Sequence, residues 1–282
     1  MQLDGPALYT AYSADGKLAA SGNLDKTVII WDVQTGKKRN TLFGHTAAVY
    51  QIAFSPDGTR LASTSSDGTL IIWDLASGKA LLTIRGNEEV LVTVAYSPDG
   101  KYLVAGGGTF GKISNVNGNV WDAASGEKLF NLPVDSSVTA VNYSPDGKRV
   151  VIASFNGTIS LWDALTGKQL LTWRGHAGAI YQVAFSPDGK LLATASSDGA
   201  VRLWDAASGL DLLTLPFDSG SGGSVSFSPD GKQLAVGGRS GISIFYLQLQ
   251  DVIALAKSRV TRALTQEECQ QYLHVEACPI VK

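Results

Sequence analysis

The run HTAAVYQIAFSPDGTRLASTSSDGTLIIWDLASGK, residues 45–79, decides the fold, because most of the chain repeats it imperfectly. Its turn, Ser55-Pro56-Asp57-Gly58, returns from Ser97, Ser144, Ser186 and Ser228. A variant, Ser13-Ala14-Asp15-Gly16, precedes it, so the turns are spaced by 42, 42, 47, 42 and 42 residues. Trp-Asp recurs from Trp31, Trp73, Trp121, Trp162 and Trp204, and in the sixth unit the same spacing falls on Tyr246 and Leu247. A constant period through most of 282 residues points to one array of stacked units rather than two unrelated domains. Inside the quoted unit, AVYQIAF, RLAST, LIIWD and ALLTI are apolar and β-branched runs, separated by SPDG, SSDG and LASGK, which are turn sequences. Four short antiparallel strands per unit follow.

Gly44-His45, Ser55-Pro56-Asp57-Gly58, Asp67-Gly68 and Trp73-Asp74 together resemble the WD40 repeat, and the resemblance runs from about residue 8 to residue 246. It implies an all-β fold, a WD40 β-propeller of six recognisable four-stranded blades over residues 3–43, 44–84, 85–132, 133–174, 175–215 and 216–247, the last of them incomplete. Two readings of the ring stay open: six blades closing with a three-stranded last blade, or the C-terminal part of a longer chain. The third unit carries five extra residues in AGGGTFGKISNVNGNVWD and lacks the Asp-Gly turn in register, which predicts a projecting loop.

After Leu247 the period changes. Leu249, Val252, Ile253 and Ala256 recur at helical spacing, with Asp251 near the start and Lys257, Arg259 and Arg262 toward the end, as the helix dipole favours. Thr265 and Glu268 then form a capping box opening a second short helix, whose apolar side holds Cys269, Tyr272 and Leu273. The expected organisation is a propeller over residues 1–247 and an α-helical extension over residues 248–282 packing on it. This tail also resembles the segment that ends the WD40 region of bacterial multidomain signalling proteins, STAND-type ATPases among them, which implies effector domains upstream.

Composition narrows the function classes. The net charge is −2, with 23 Lys and Arg scattered along the chain, so no footprint for nucleic acid or an anionic membrane surface is visible. Neither a basic-then-apolar leader nor a membrane-length apolar run is present, and the chain is read as soluble and cytoplasmic. The two cysteines, Cys269 and Cys278, both lie in the tail, so no disulfide framework holds the repeats. Gly106, Gly108 and Gly111 spell G-x-G-x-x-G, but no helix follows to hold a pyrophosphate, and a P-loop is absent. His274 with Cys269 and Cys278 lacks a zinc spacing. No cofactor and no metal are expected.

Two sets of residues remain. The resemblance places His45, Ser63, Asp67 and Trp73, and again His176, Thr194, Asp198 and Trp204, where WD40 blades make a hydrogen-bonded tetrad. A Ser-His-Asp triad is the competing reading. The hydroxyl would then be sandwiched between His and Trp inside the blade, and the set recurs 131 residues on in the same register, as a structural device does. Blade 1 keeps Ser21, Asp25 and Trp31 without the His, and blade 4 has Asn156 and Trp162 with Ile152 at the hydroxyl position. The second set is the candidate partner-binding face: Leu8, Tyr50, Val92, Thr139 and Tyr181 at the starts of first strands, with Leu24, Ser66, Phe155, Ser197 and Arg239 before the second turn residue. Its aromatic, apolar and Arg residues are types enriched at interface centres.

The chain is therefore expected to be a non-catalytic scaffold or sensor that presents a loop face to protein partners, in bacterial signalling by the resemblance of its tail. A small-ligand sensor using the channel mouth is the alternative. A propeller enzyme is disfavoured, because two of three histidines are placed in tetrads and the inner strands are poor in ionisable groups.

Overall fold

Each Ser-Pro-Asp-Gly turn closes on itself. The Ser55 hydroxyl donates to Asp57 Oδ1 at 2.5 Å and accepts the Arg60 amide at 2.9 Å, while the Thr59 amide donates to Asp57 Oδ1 at 3.0 Å. Gly58 stands at φ 68°, a left-handed conformation that residues with a Cβ rarely adopt. The Asp of Trp-Asp makes the turn after the third strand: Asp74 Oδ1 accepts the Ser77 amide at 2.7 Å and its hydroxyl at 2.5 Å. Turn chemistry thus folds the apolar runs back on one another, and they pair as antiparallel strands.

The computed structural model describes residues 7–86, 90–108, 117–217, 223–239 and 241–247. Blade 1 comprises β1 (Ala7–Tyr12), β2 (Leu18–Asn23), β3 (Val28–Asp32) and β4 (Lys38–Leu42). Blade 2 comprises β5 (Val49–Phe54), β6 (Arg60–Ser65), β7 (Thr69–Asp74) and β8 (Ala80–Arg85). Blade 3 follows with β9 (Leu91–Tyr96), β10 (Tyr102–Gly107), β11 (Asn117–Asp122) and β12 (Lys128–Pro133). In blade 4 these places are taken by β13 (Val138–Tyr143), β14 (Arg149–Ser154), β15 (Thr158–Asp163) and β16 (Gln169–Arg174). Blade 5 holds β17 (Ile180–Phe185), β18 (Leu191–Ser196), β19 (Ala200–Asp205) and β20 (Asp211–Pro216). The last blade is a three-stranded sheet of β21 (Ser224–Phe227), β22 (Gln233–Gly238) and β23 (Gly241–Tyr246).

Among the described residues every regular element is a strand, and each sheet runs in chain order from inner to outer strand. The six-bladed arrangement with an incomplete last blade matches the expectation. The helical extension expected over 248–282, and all but one residue of the 108–116 connection in blade 3, lie outside the described residues. Inner strands pack in succession, β1 on β5, β5 on β9, β9 on β13, β13 on β17 and β17 on β21. Among the described residues, no comparable packing of β21 on β1 completes the circle.

In blades 2 to 5 one face of the sheet buries its apolar residues against the previous blade and the other face against the next, because alternate strand residues point opposite ways. Between blades 1 and 2 the core is Ala20, Val28, Ile30 and Leu42 against Ile52, Leu61, Ile71 and Trp73. Polar groups stitch the inner strands as well. Gln51 Oε1 accepts the Val94 amide at 3.2 Å, Thr93 Oγ1 the Val141 amide at 3.1 Å, and Gln182 Oε1 the Val225 amide at 3.1 Å. Arg149 joins blades 4 and 5 through the carbonyls of Ala206 at 2.8 Å and Gly189 at 2.9 Å.

The register corrects the reading of the sixth unit. Trp73 pairs across the sheet with Leu61, and Trp204 with Leu192. The corresponding partner of Leu234 is Phe245, not Tyr246. Only residues 239–240 join β22 to β23, against three residues in blade 2, so the third strand is drawn back by one place. Phe245 therefore holds the Trp position.

Candidate functional site

The first strand of each blade begins beside the end of the second, as Val49 opposite Ser65 shows. Residues at first-strand starts and in second-to-third connections therefore share one end of the blades. The Ser-Pro-Asp-Gly and Trp-Asp turns occupy the other end. The candidate face and the His and Asp of each tetrad sit at the first end, and the Trp reaches back toward them from the other, with its hydroxyl and His partners buried inside the blade.

In blade 2 the proton order follows from chemistry. Trp73 Nε1 can only donate, and it donates to Ser63 Oγ at 2.8 Å. The Ser63 hydroxyl then gives its proton to His45 Nε2 at 2.7 Å, and His45 Nδ1 donates to Asp67 Oδ2 at 3.2 Å. The carboxylate is held further by the Thr46 amide at 2.7 Å and the Thr69 hydroxyl at 2.5 Å. Blade 5 repeats the chain: Trp204 Nε1 to Thr194 Oγ1 at 2.9 Å, Thr194 to His176 Nε2 at 2.7 Å, and His176 Nδ1 to Asp198 Oδ2 at 2.9 Å. Burial lowers the pKa of both histidines, with the paired carboxylate partly offsetting it, so the neutral imidazole is the working form. For Asp67 burial pushes upward, but the bonds from Thr69, Thr46 and His45 outweigh it and bring the carboxyl to about 2.

Ser63 and Thr194 are wholly buried. Each hydroxyl is committed on both sides, between Trp and His, and has no free approach for an electrophile. The relay can fix side chains; it cannot deliver a nucleophile to a substrate. The glycine before each His has a steric reason: a Cβ on Gly44 would stand 2.8 Å from Trp73 Cη2, and one on Gly175 3.0 Å from Trp204 Cζ2. Thr46, Thr69 and the stitching Gln51 and Gln182 were not singled out from sequence. A polar residue recurring at one inner-strand position, Gln51, Thr93 and Gln182, was the available signal.

The incomplete relays are weaker. Trp31 Nε1 reaches Ser21 Oγ only at 3.4 Å. In blade 4, where Ile152 replaces the hydroxyl, Trp162 Nε1 turns to Ser160 Oγ at 2.9 Å. Blade 1 also carries Lys26 at φ 75° where blades 2, 4 and 5 have Gly68, Gly157 and Gly199 at 75–84°. The left-handed conformation costs a residue with a Cβ about 1–2 kcal/mol, and glycine's larger unfolded freedom returns about 0.5–1 of that. Lys26→Gly is therefore expected to stabilise the chain by about 0.5–1 kcal/mol in urea unfolding; destabilisation would show that Lys26 makes a compensating contact.

Of the candidate face, Leu24 and Phe155 are 56% and 40% exposed, and Leu8, Ser197 and Arg239 are exposed as well. Tyr50, Ser66, Thr139 and Tyr181 are half-buried, and the Thr139 hydroxyl donates to the Ala153 carbonyl at 3.0 Å. Val92 departs from the expectation: at 8% exposure it offers little surface to a partner. Leu8 and Tyr181 meet in a cavity of about 590 Å³ with Tyr9, Gln182, Gly223 and Ile242, where the inner strands of blades 1, 5 and 6 approach. The remaining face residues stand apart, one per blade. Among the described residues no group of three or more His, Cys, Asp or Glu side chains is arranged as metal ligands, and no helix is long and apolar enough to cross a membrane.

Twisted four-stranded sheets packed face to face around a channel, with Trp-hydroxyl-His-carboxylate relays inside two of them, define a β-propeller of the WD type. The family described as WD domain, G-beta repeat matches residues 6–32, 36–74, 78–110, 126–163 and 167–205. These matches span more than half of the chain, and the chain belongs to the WD40 repeat family. Each match from the second to the fifth begins before an outer strand and ends in the next blade, so the sequence repeats interlock neighbouring blades. A stretch of 59 residues is 34% identical to "Cell division cycle 20.1, cofactor of APC complex" of Arabidopsis thaliana, covering 20% of this chain and 13% of that protein.

Proposed function

We propose that the chain is a non-catalytic protein-interaction module of the cytoplasm, docking partners on the blade end that carries Leu8, Leu24, Tyr50, Ser66, Thr139, Phe155, Tyr181, Ser197 and Arg239. One observation carries this reading. The reactive-looking His and hydroxyl groups of that end are buried, and with the Asp67 and Asp198 carboxylates, whose side chains are 8% and 13% exposed, they satisfy one another, while the exposed ring offers aliphatic and aromatic side chains with Arg239. Such residues gain most when a partner desolvates them on a rigid frame. The WD40 family is rich in interaction scaffolds, and the plant relative is named as a cofactor of a complex, which fits a partner-binding role. The finer reading, a sensor or scaffold part of a bacterial signalling protein with effector domains upstream, rests on the resemblance of the tail.

The alternative, a small ligand, has the cavity between Leu8, Tyr9 and Tyr181 in its favour. Affinity capture by the native chain and by a Tyr50→Ala/Tyr181→Ala variant separates the two. The interaction reading expects at least a tenfold loss of specific partner with the thermal midpoint nearly unchanged, since hot-spot aromatics contribute about 2 kcal/mol or more. Equal capture by a folded variant sinks the proposed face. Thermal protection by a metabolite in the absence of any protein favours the ligand reading instead.

A further inference from the structure

The outer strand of each four-stranded blade is an edge of its sheet, and in blade 5 that edge lacks the cations found on the others. Blades 2, 3 and 4 set a leucine at one register place, Leu81, Leu129 and Leu170, and flank it with Lys79 and Arg85, with Glu127 and Lys128, and with Lys168 and Arg174. Blade 1 has Lys37, Lys38 and Arg39 there. In β20 the same place is Leu212, no Lys or Arg lies along the strand, and Leu210 stands where Lys79 and Lys168 do. Leu210, Leu212 and Leu213 are 63%, 50% and 43% exposed. The turn glycines Gly126, Gly167 and Gly209 lie against Leu82, Phe130 and Leu171, the counterparts of Leu213 in blades 2 to 4. Among the described residues blade 6 brings no such glycine to Leu213. The one carboxylate of β20, Asp211, is held by Arg202 Nη1 at 2.8 Å. An apolar edge without guarding charges is a template for another strand.

The ladder fixes which backbone groups this edge offers. The Phe217 amide donates inward to the Gly199 carbonyl at 2.8 Å, so by antiparallel alternation the amides of Leu215 and Leu213 also point toward β19, and those of Leu212 and Thr214 point away. Pro216 takes the next outward place, where the blade's own ladder loses no donor. We propose that β20 pairs antiparallel with β20 of a second copy, about a two-fold axis through Leu213. Leu212 and Thr214 of each copy then exchange amide–carbonyl bonds with Thr214 and Leu212 of the other, and the two Leu213 side chains meet at the axis. The two Asp211 carboxylates stand about 13 Å apart along the strands, each beside its own Arg202. Charge selects this strand. The same register would oppose Lys79 to Arg85 of the other copy in β8, and Lys168 to Arg174 in β16, whereas in β20 it opposes Leu210 to Pro216. A second copy of β20 is thus an uncharged strand matched to this edge. The pairing lies on the rim, away from the blade end proposed for partners.

Sedimentation equilibrium of the full chain tests the pairing. The native chain is expected to show a monomer–dimer equilibrium, and Leu212→Lys, which sets two cations across the axis, to raise its dissociation constant about tenfold or more with the thermal midpoint of the dilute chain unchanged. Leu81→Lys, the same change in blade 2, is expected to leave the equilibrium where it is. The register has its own readout. With Cys269→Ser and Cys278→Ser in place, Leu213→Cys is expected to give a disulfide-linked dimer on mild oxidation, and Leu165→Cys, at a site 70% exposed but off the strand, is not. A native chain that stays monomeric at about 1 mM overturns the proposal. So does a dimer that a folded Leu212→Lys variant keeps, one that Leu81→Lys weakens equally, or one that Leu213→Cys fails to cross-link.

Discussion

Trp73→Ala is expected to destabilise the protein by about 3–5 kcal/mol, the range for removing a buried large aromatic side chain. Trp73 is among the largest fully buried side chains, and its ring closes the core between blades 1 and 2. It also stands edge-on to His45, with ring centroids 6.2 Å apart, and its Nε1 fixes the Ser63 hydroxyl. Truncation therefore opens a cavity and unpairs the first member of the relay at once. Trp73→Phe separates the two contributions: it keeps most of the volume and loses the indole N–H, with an expected cost of about 1–2 kcal/mol. Blade 6 already lives with Phe245 in that place and has a valine, Val236, where Ser63 stands. Urea unfolding of the two variants checks both figures. A cost below about 1 kcal/mol for Trp73→Ala would mean that the blades are not held by this core.

The second large effect is at Asp67. Asp67→Ala removes the acceptor for the Thr46 amide, the Thr69 hydroxyl and His45 Nδ1 together, and about 2–4 kcal/mol of stability is expected to go with it. Water reaches Thr46 and moderates the sum. Asp67→Asn reports on charge. The folded carboxyl titrates at about 2 against 3.8 for the unfolded chain, so its contribution is present above about pH 4 and is lost as pH falls through about 2. Allowing for solvent screening near the surface, that contribution is about 1–2 kcal/mol. The histidines act in the same direction. Their folded pKa is lowered by burial, so below the unfolded value of 6.5 the unfolded chain takes up protons more readily and stability falls with pH. Thermal midpoints measured from pH 7 to pH 2 are therefore expected to fall throughout for the native chain, and less steeply below pH 4 for Asp67→Asn. Parallel curves for the two would contradict an ionised Asp67 in the fold.

The parts of this molecule that were legible in the sequence are those encoded within a few neighbouring residues. Ser55 to Gly58 is a complete turn in four residues, so five faithful copies mark where five blades reverse. His45, Ser63, Asp67 and Trp73 are far apart in the chain, yet their spacing repeats at His176, which marked them as frame. Where one residue must be weighed against a distant one, the reading weakened. Phe245 took the place expected of Tyr246 because the short connection at 239–240 shifts a strand that has no Trp-Asp to anchor it. Gln51 and Gln182 stitch blades through amides 43 residues away, and only the recurrence of a polar residue at that strand position, not its neighbours, marks them. Val92 has the repeat position of a surface residue, but as one of a run of apolar residues in β9 it is buried. Ser160 replaced the missing hydroxyl of blade 4 from two residues away on the same strand as its Trp, a place the spacing does not mark.

Hydrogen exchange on the chain, alone and bound to the partner that it captures, tests the central claim most directly. The relays of blades 2 and 5 hold the strand starts at Tyr50 and Tyr181 in one shape, and a partner docked on the face they share with Phe155 should slow exchange there without rearranging the blades. The account expects protection at residues 46–50, 66–69, 155–157 and 177–181, and unchanged exchange in the turns Ser55–Gly58, Ser97–Gly100 and Ser144–Gly147. Protection confined to those turns, or to the outer strands β8, β12 and β16, would contradict it.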